Sequence, residues 1–146
     1  YISSRGFIHR DIAARNIMVD HDETCKIGDF GLTRSVGKEE DNYHSRGGKL
    51  PLKWMSPEAI EKYNFSFASD IWSFGVLLFE IVTLGGTPYA GWPAAEVMKF
   101  KILKFSFNFS CYLGCNMYTL MINCWSASPS ARPSFSELRR QLTMLL

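Results

Sequence analysis

Cysteine is scarce. The chain has four in 146 residues, at Cys25, Cys111, Cys115 and Cys124. None stands in a C-x₂-C pair, so the set does not read as a disulfide framework. The ligand spacing of a structural zinc site is missing too, and a site through Cys111, Cys115 and Cys124 loses to the simpler reading of buried, reduced thiols in a cytosolic domain. Charge of one sign is also lacking. Sixteen Lys and Arg face 14 Asp and Glu, a net charge of +2, with no basic stripe. That argues against nucleic acid as the main partner. The chain has no long apolar run. Phe74 to Leu84 is broken by Glu80 and falls short of the ~20 residues a bilayer span needs. No signal peptide, internal repeat or low-complexity segment is visible.

Chemistry is concentrated near the start of the chain. Phe7-Ile8-His9-Arg10-Asp11-Ile12-Ala13-Ala14-Arg15-Asn16 holds an acid, Asp11, and an amide, Asn16. A second acid, Asp29, follows in Ile27-Gly28-Asp29-Phe30-Gly31. Between them, Ile17-Met18-Val19 and Cys25-Lys26-Ile27 predict two short strands, with Asp20 to Thr24 as their turn. Such a hairpin brings Asp29 back beside Asn16. Oxygen ligands of this kind suit Mg²⁺, which takes one or two protein ligands plus substrate phosphates.

The rest of the chain predicts mostly helix. Tyr1 to Phe7 reads as a helix end stopped at Gly6. Leu32 to Lys49 is polar and without period, a loop whose only tyrosine is Tyr43. Ser56-Pro57 starts a helix as N-cap and first-turn proline. Ser69 to Leu84 is apolar on nearly every face, the mark of a core helix, and Gly85-Gly86 ends it. Asp70 in its first turn favours the helix dipole. Pro93 to about Lys104 is a further helix with Val97, Phe100 and Leu103 on one side. Met117, Leu120, Met121 and Cys124 have helical spacing. Ser134-Phe135-Ser136-Glu137 is a capping box. It opens a last helix with Phe135, Leu138, Leu142 and Leu145 inward.

His9-Arg10-Asp11 with Asn16, then Asp29-Phe30-Gly31, then Ser56-Pro57-Glu58 resemble three parts of a eukaryotic protein kinase. These are the catalytic loop, the metal loop and the end of the activation segment. Each motif alone is weak; their order and spacing together make the resemblance strong. It runs from Tyr1 almost to Leu146 and fails at Phe105 to Gly114, where aromatics replace the usual Gly, Arg and Pro. The fold it implies is a kinase C-lobe, mainly α with a small β-hairpin. Residues 1–146 would be a partial kinase domain whose N-lobe is absent from this chain.

The resemblance also implies roles. Asp11, otherwise a turn Asp, orients the attacking hydroxyl and takes its proton. Asn16 and Asp29 hold Mg²⁺ on the phosphates of ATP. His9 packs beneath the metal loop, and Asp70 bonds the backbone of the catalytic loop. Arg10 faces the activation segment and can pair with a phosphate there. Phe30 is a core aromatic that reports the position of the metal loop, and Gly31 allows the turn. Glu58 and Arg132 form a buried ion pair. Tyr43, otherwise an exposed aromatic, becomes an autophosphorylation site. Ala13-Ala14-Arg15 is similar to tyrosine kinases, since Ser/Thr kinases usually carry Lys at the position of Ala13. A phenol oxygen stands farther from the backbone than a seryl oxygen, so the steadying charge comes from Arg15 instead. Pro51, Leu52 and Trp54 belong to the shelf for the substrate ring.

The activity implied is transfer of the γ-phosphoryl of ATP to protein tyrosine. Ser69 to Gly91 most resembles receptor tyrosine kinases of the fibroblast and vascular growth-factor groups. A receptor parent implies dimerisation, a place on the cytoplasmic side of the plasma membrane, and membrane contact only through segments outside this chain. A cytosolic kinase would be cytoplasmic. The sequence holds no Gly-rich loop, no strand lysine and no partner Glu for it, so this chain alone is expected to have little activity. The rival reading is a non-catalytic pseudokinase or interaction module that docks through Phe105 to Leu113. Intact Asp11, Asn16 and Asp29 count against it. A small-molecule phosphotransferase is disfavoured because Pro51 to Glu58 suits a peptide.

Overall fold

The computed structural model describes residues 1–36, 42–44, 51–93, 95–97, 99 and 115–145. A 3₁₀ turn at Ser3–Arg5 closes on Gly6, which is left-handed at φ 77°. The strand β1 (Phe7–Ile8) and a second 3₁₀ turn, Ala14–Asn16, flank the His9-Arg10-Asp11 segment. Next come β2 (Ile17–Val19), β3 (Cys25–Ile27), β4 (Arg34–Ser35) and β5 (Asn42–His44). The helix α1 (Pro57–Lys62), the strand β6 (Asn64–Ser66) and the long helix α2 (Phe67–Val82) follow. The last described helices are α3 (Cys115–Cys124) and α4 (Phe135–Thr143). The strands form three antiparallel pairs: β1 with β4, β2 with β3, and β5 with β6. This is the mainly helical C-lobe architecture with its small hairpin.

Helix α2 is the centre of the core. Ser66 caps it: its hydroxyl accepts from Ser69 N–H at 3.2 Å while Ser69 Oγ accepts from Ser66 N–H at 2.9 Å. Ile71, Trp72, Val76, Leu78 and Phe79 are buried against Leu120, Met121, Cys124 and Trp125 from the α3 side. Burial of each aliphatic or Phe side chain contributes about 1.5–3 kcal/mol. Close approach of α3 depends on Gly75. A Cβ there would lie 2.7 Å from Cys124 Cβ and 2.7 Å from Trp125 Nε1. Beyond Val82 the chain turns off through left-handed Leu84 and Gly85, and Gly85 N–H donates to Glu80 O at 2.7 Å. A second cluster, Ile8, Met55, Ala59, Ile60 and Phe65, packs under the segment that carries Asp11.

Several expectations need correction. The long helix runs Phe67–Val82, because its capping serine is Ser66 and Leu84 is left-handed. Before β1, which Phe7 opens, the chain makes only the 3₁₀ turn Ser3–Arg5 in place of a helix end. Within the expected loop 32–49 lie β4 and β5. Ser56 does stand at the N-cap of α1 with Pro57 behind it, but its side chain makes no capping hydrogen bond. Cys25 is exposed, while Cys124 is buried as expected. Leu145 lies beyond α4 and is 38% exposed. Residues 95–97 and 99 are helical and Val97 is buried. Phe100, Leu103, the whole of Phe105 to Gly114 and the thiols of Cys111 and Cys115 lie outside the described residues.

Candidate active site

The His9-Arg10-Asp11 turn is held in a form the backbone does not favour. Arg10 is left-handed at φ 72°, a conformation that costs a non-glycine residue about 1–3 kcal/mol. Asp70 on α2 compensates. Its Oδ2 accepts from His9 N–H at 2.7 Å and its Oδ1 from Arg10 N–H at 2.9 Å. Burial pushes the Asp70 carboxyl up to about 7, against the lowering effect of the two N–H groups and of the Arg10 charge. A core helix therefore pins the turn from below.

His9 is fully buried and joins this turn to the next motif. Its Nδ1 accepts from Asp11 N–H at 3.3 Å, so its Nε2–H donates to Gly28 O at 3.0 Å. Gly28 N–H in turn donates to Asn16 O at 2.8 Å. The hairpin pairs Ile17 with Ile27 and Val19 with Cys25, and so brings Gly28, the residue before Asp29, to Asn16.

Asp11 is 9% exposed. Asn16 Nδ2 donates to Asp11 O at 2.7 Å and to Asp11 Oδ2 at 2.8 Å. Arg15 Nη2 pairs with Asp11 Oδ1. The Arg15 guanidinium also lies 4.3 Å from the centroid of the Trp54 ring. Trp54 sits in the turn after Pro51, with its N–H on Pro51 O at 2.9 Å, and Leu52 packs against the second cluster. The expected base, the expected cation and the expected shelf are thus one contiguous structure.

The second acid is arranged differently from the expectation. Asp29 is the left-handed residue of its loop, at φ 55°, and Gly31 is not left-handed. Gly31 instead leaves room: its N–H donates to Asp29 Oδ1 at 3.2 Å, and a Cβ on it would stand 3.2 Å from that same oxygen. Phe30 is 52% exposed and touches His9 edge-on at 5.2 Å, so it is not a core residue among the described contacts.

The metal ligands expected here have compatible chemistry. With Asn16 Nδ2 committed to Asp11, the amide presents Oδ1 to any cation, and Asp29 is solvent-exposed with a carboxylate to offer. An amide oxygen plus a carboxylate is a hard donor pair that fits Mg²⁺. Another acidic group, Asp20, His21 and Asp22, lies in the solvated hairpin turn, where Lys26 already pairs with Asp20. An open apolar groove of about 1310 Å³ runs under the hairpin past Ile17, Ile27, Phe74 and Leu138. Its lining includes His9, Phe30 and Asp70 from beneath the polar site, but not Asp11, Asn16 or Asp29.

The outlying residues fall into two groups. Glu58 and Arg132 meet in a two-pronged pair at 2.6 and 2.9 Å. Burial opposes ionisation of Glu58, but the Arg132 guanidinium prevails and holds its carboxyl below the usual range. Arg10 is buried, with Nη1 on Leu32 O at 3.2 Å and its guanidinium 4.1 Å from the Phe65 ring centroid. Tyr43 is in β5, paired in register with that same Phe65.

One residue here escapes the motif reading. Glu80 Oε2 accepts from Ala14 N–H at 2.9 Å and from Trp54 Nε1–H at 3.0 Å. The available signal was a lone carboxylate late in an otherwise apolar helix.

Known proteins are similar to this chain along its length. Residues 1–142 match the family described as protein tyrosine and serine/threonine kinase. A tyrosine kinase receptor of Drosophila melanogaster is 45% identical over 146 residues, covering 100% of this chain and 19% of that protein. Fibroblast growth factor receptor 1 of Xenopus laevis is 45% identical over 148 residues, covering 100% of this chain and 18% of the receptor. The tyrosine-protein kinase receptor torso of Bombyx mori is 43% identical over 149 residues, with 18% of that receptor covered. The chain therefore spans under a fifth of the length of these relatives.

Proposed function

The chain belongs to the protein tyrosine and serine/threonine kinase family, and from that premise we propose that its site transfers the γ-phosphoryl of ATP to a protein tyrosine. The observation that carries the tyrosine reading is Arg15. It pairs with Asp11 while stacking on Trp54, so one cation spans the base and the surface where an aromatic acceptor would lie.

Asp11 acts as the base. Arg15 on Oδ1 and Asn16 on Oδ2 fix the rotation of its carboxylate, so an incoming phenol meets a pre-oriented acceptor. The phenolic oxygen forms the new bond to phosphorus, the bond to the leaving ADP breaks, and the phenolic proton passes to Asp11. Such a positioned base contributes about 10²–10⁴-fold. Asn16 and Asp29 would hold Mg²⁺, which supplies charge neutralisation on the phosphates. His9, Asp70 and the Glu58–Arg132 pair keep these loops in place through the hydrogen bonds described above. Pro51, Leu52 and Trp54 seat the substrate ring.

Tyr43 is proposed as an autophosphorylation site read by Arg10, with Phe65 as the element both adjoin. The receptor names of the relatives support a receptor parent; a kinase part on the cytoplasmic side, active as a dimer, is proposed with it. With no Gly-rich loop or strand lysine in its sequence, residues 1–146 alone turn over ATP poorly. The test uses the full-length protein with ATP and matched peptides bearing Tyr or Ser. Phosphotyrosine is the expected product. Phosphoserine alone would refute the tyrosine reading, and no transfer to either peptide would favour the interaction module.

A further inference from the structure

Asp70 and Glu80 are the two charged residues of α2 (Phe67–Val82). Ten residues apart, they are separated by about 15 Å along the helix. Both turn to the same loop. Asp70 takes the N–H groups of His9 and Arg10, before Asp11, and Glu80 takes that of Ala14, just before Arg15. The core helix thus grips the loop on both sides of its acid.

Glu80 does more than grip. The oxygen that accepts from Ala14 also accepts from the Trp54 indole N–H. Arg15, next along from Ala14, lies over that same indole ring. Glu80 Oε2, the Ala14 amide, the Arg15 guanidinium and the Trp54 ring therefore close a circuit in which each member sets the position of the next. We infer that Glu80 is a positioning residue for the acceptor: one carboxylate oxygen sets the distance between the shelf at Trp54 and the Asp11–Arg15 pair. This rests on the tyrosine-kinase reading. It concerns alignment of the peptide, so it separates from nucleotide binding, which uses other residues.

Two substitutions in the full-length protein test length against charge. Glu80→Asp keeps the charge but withdraws the carboxylate by about 1.5 Å, one carbon–carbon bond, out of reach of both donors. Glu80→Gln keeps the length and an amide oxygen able to accept both N–H groups. Kinetics are read with a tyrosine peptide and with ATP as separate varied substrates. E80D is expected to lose about tenfold in kcat/KM for peptide with the KM for ATP unchanged, while E80Q stays within about threefold of wild type. If E80D does not fold, W54F carries the test: it keeps a ring under Arg15, removes the indole N–H, and should lower peptide kcat/KM about threefold at constant ATP KM. E80D within about twofold of wild type, E80Q worse than E80D, or an unchanged W54F overturns the inference. So does an equal loss in the peptide and ATP parameters, which marks a packing role. A wild-type protein that leaves the tyrosine peptide untouched refutes the kinase reading itself, a result no Glu80 variant can mimic.

Discussion

Replacing Arg132 by Met should expose how strongly the region after the shelf is tied to the core. The Arg132 side chain is fully buried and makes four hydrogen bonds: two to Glu58, at 2.6 and 2.9 Å, one to Ala68 O at 2.9 Å and one to Ser126 O at 2.9 Å. Its guanidinium also stands 5.0 Å from the Trp72 ring centroid. Met retains most of the stem but leaves a carboxylate and two carbonyl oxygens without their donor. Breaking a buried pair in this way costs about 3–5 kcal/mol. Glu58 keeps 14% of its side chain exposed and can take up a proton, so the lower end, about 3 kcal/mol at pH 7, is expected. The pH dependence carries a sign. In wild type the lowered Glu58 pKa gives stability that is present above its unfolded value of 4.5 and is lost as pH falls through the folded value. Without Arg132, burial, the largest influence on Glu58, is opposed only by the lesser lowering effects of a backbone N–H and of Ser56, so its folded pKa rises and the variant regains stability relative to wild type on acidification. Urea denaturation of the kinase domain at pH 7 and pH 5 should show a gap that narrows at pH 5. A gap under about 1 kcal/mol at pH 7, or one equal at both pH values, would refute this reasoning.

Two further outcomes follow from the same core. Gly75→Ala places a methyl group 2.7 Å from both Cys124 Cβ and Trp125 Nε1, so overpacking at about 1–3 kcal/mol outweighs the ~1 kcal/mol that Ala gains in helix propensity. The thermal midpoint should fall; an unchanged or higher midpoint contradicts the packing of α2 on α3. Asp70 has a folded pKa of about 7 against an unfolded 3.8, so its folded form binds the proton more tightly and its contribution to stability falls as pH rises from 4 to 7. Urea titrations of wild type and Asp70→Asn between pH 5 and 7 should show a slope in the wild type that the variant lacks. Equal slopes would remove Asp70 as the source.

Much of the fold is legible because its signals are local. The hairpin β2–β3 is bounded as its apolar triplets and polar turn require, and α4 begins at the capping box Ser134–Glu137. The β5–β6 pair is not legible, because Tyr43 pairs with Phe65 far along the chain and neither stretch alternates strongly. The site is legible as far as its motifs extend: Asp11, Asn16 and Arg15 meet, and Gly28, the residue before Asp29, bonds back to Asn16. Motifs do not show which residue bears backbone strain. Arg10 and Asp29 are left-handed, whereas Gly31, the residue a sequence reader assigns to the turn, is not. Glu80 is hidden for another reason. Its value lies in two distant donors, Ala14 and Trp54, and a lone acid in a helix shows only that it interrupts an apolar run.

The central claim is that Asp11 receives the proton of a tyrosine hydroxyl. Asp11→Asn in the full-length protein tests it most directly, because the amide fills the same space and cannot take that proton at neutral pH. Rapid-quench measurement of phosphotyrosine formed in a single turnover, with ATP binding measured in parallel, should show transfer slowed by about 10²–10⁴-fold at unchanged ATP affinity. A single-turnover rate within about tenfold of wild type would contradict the account.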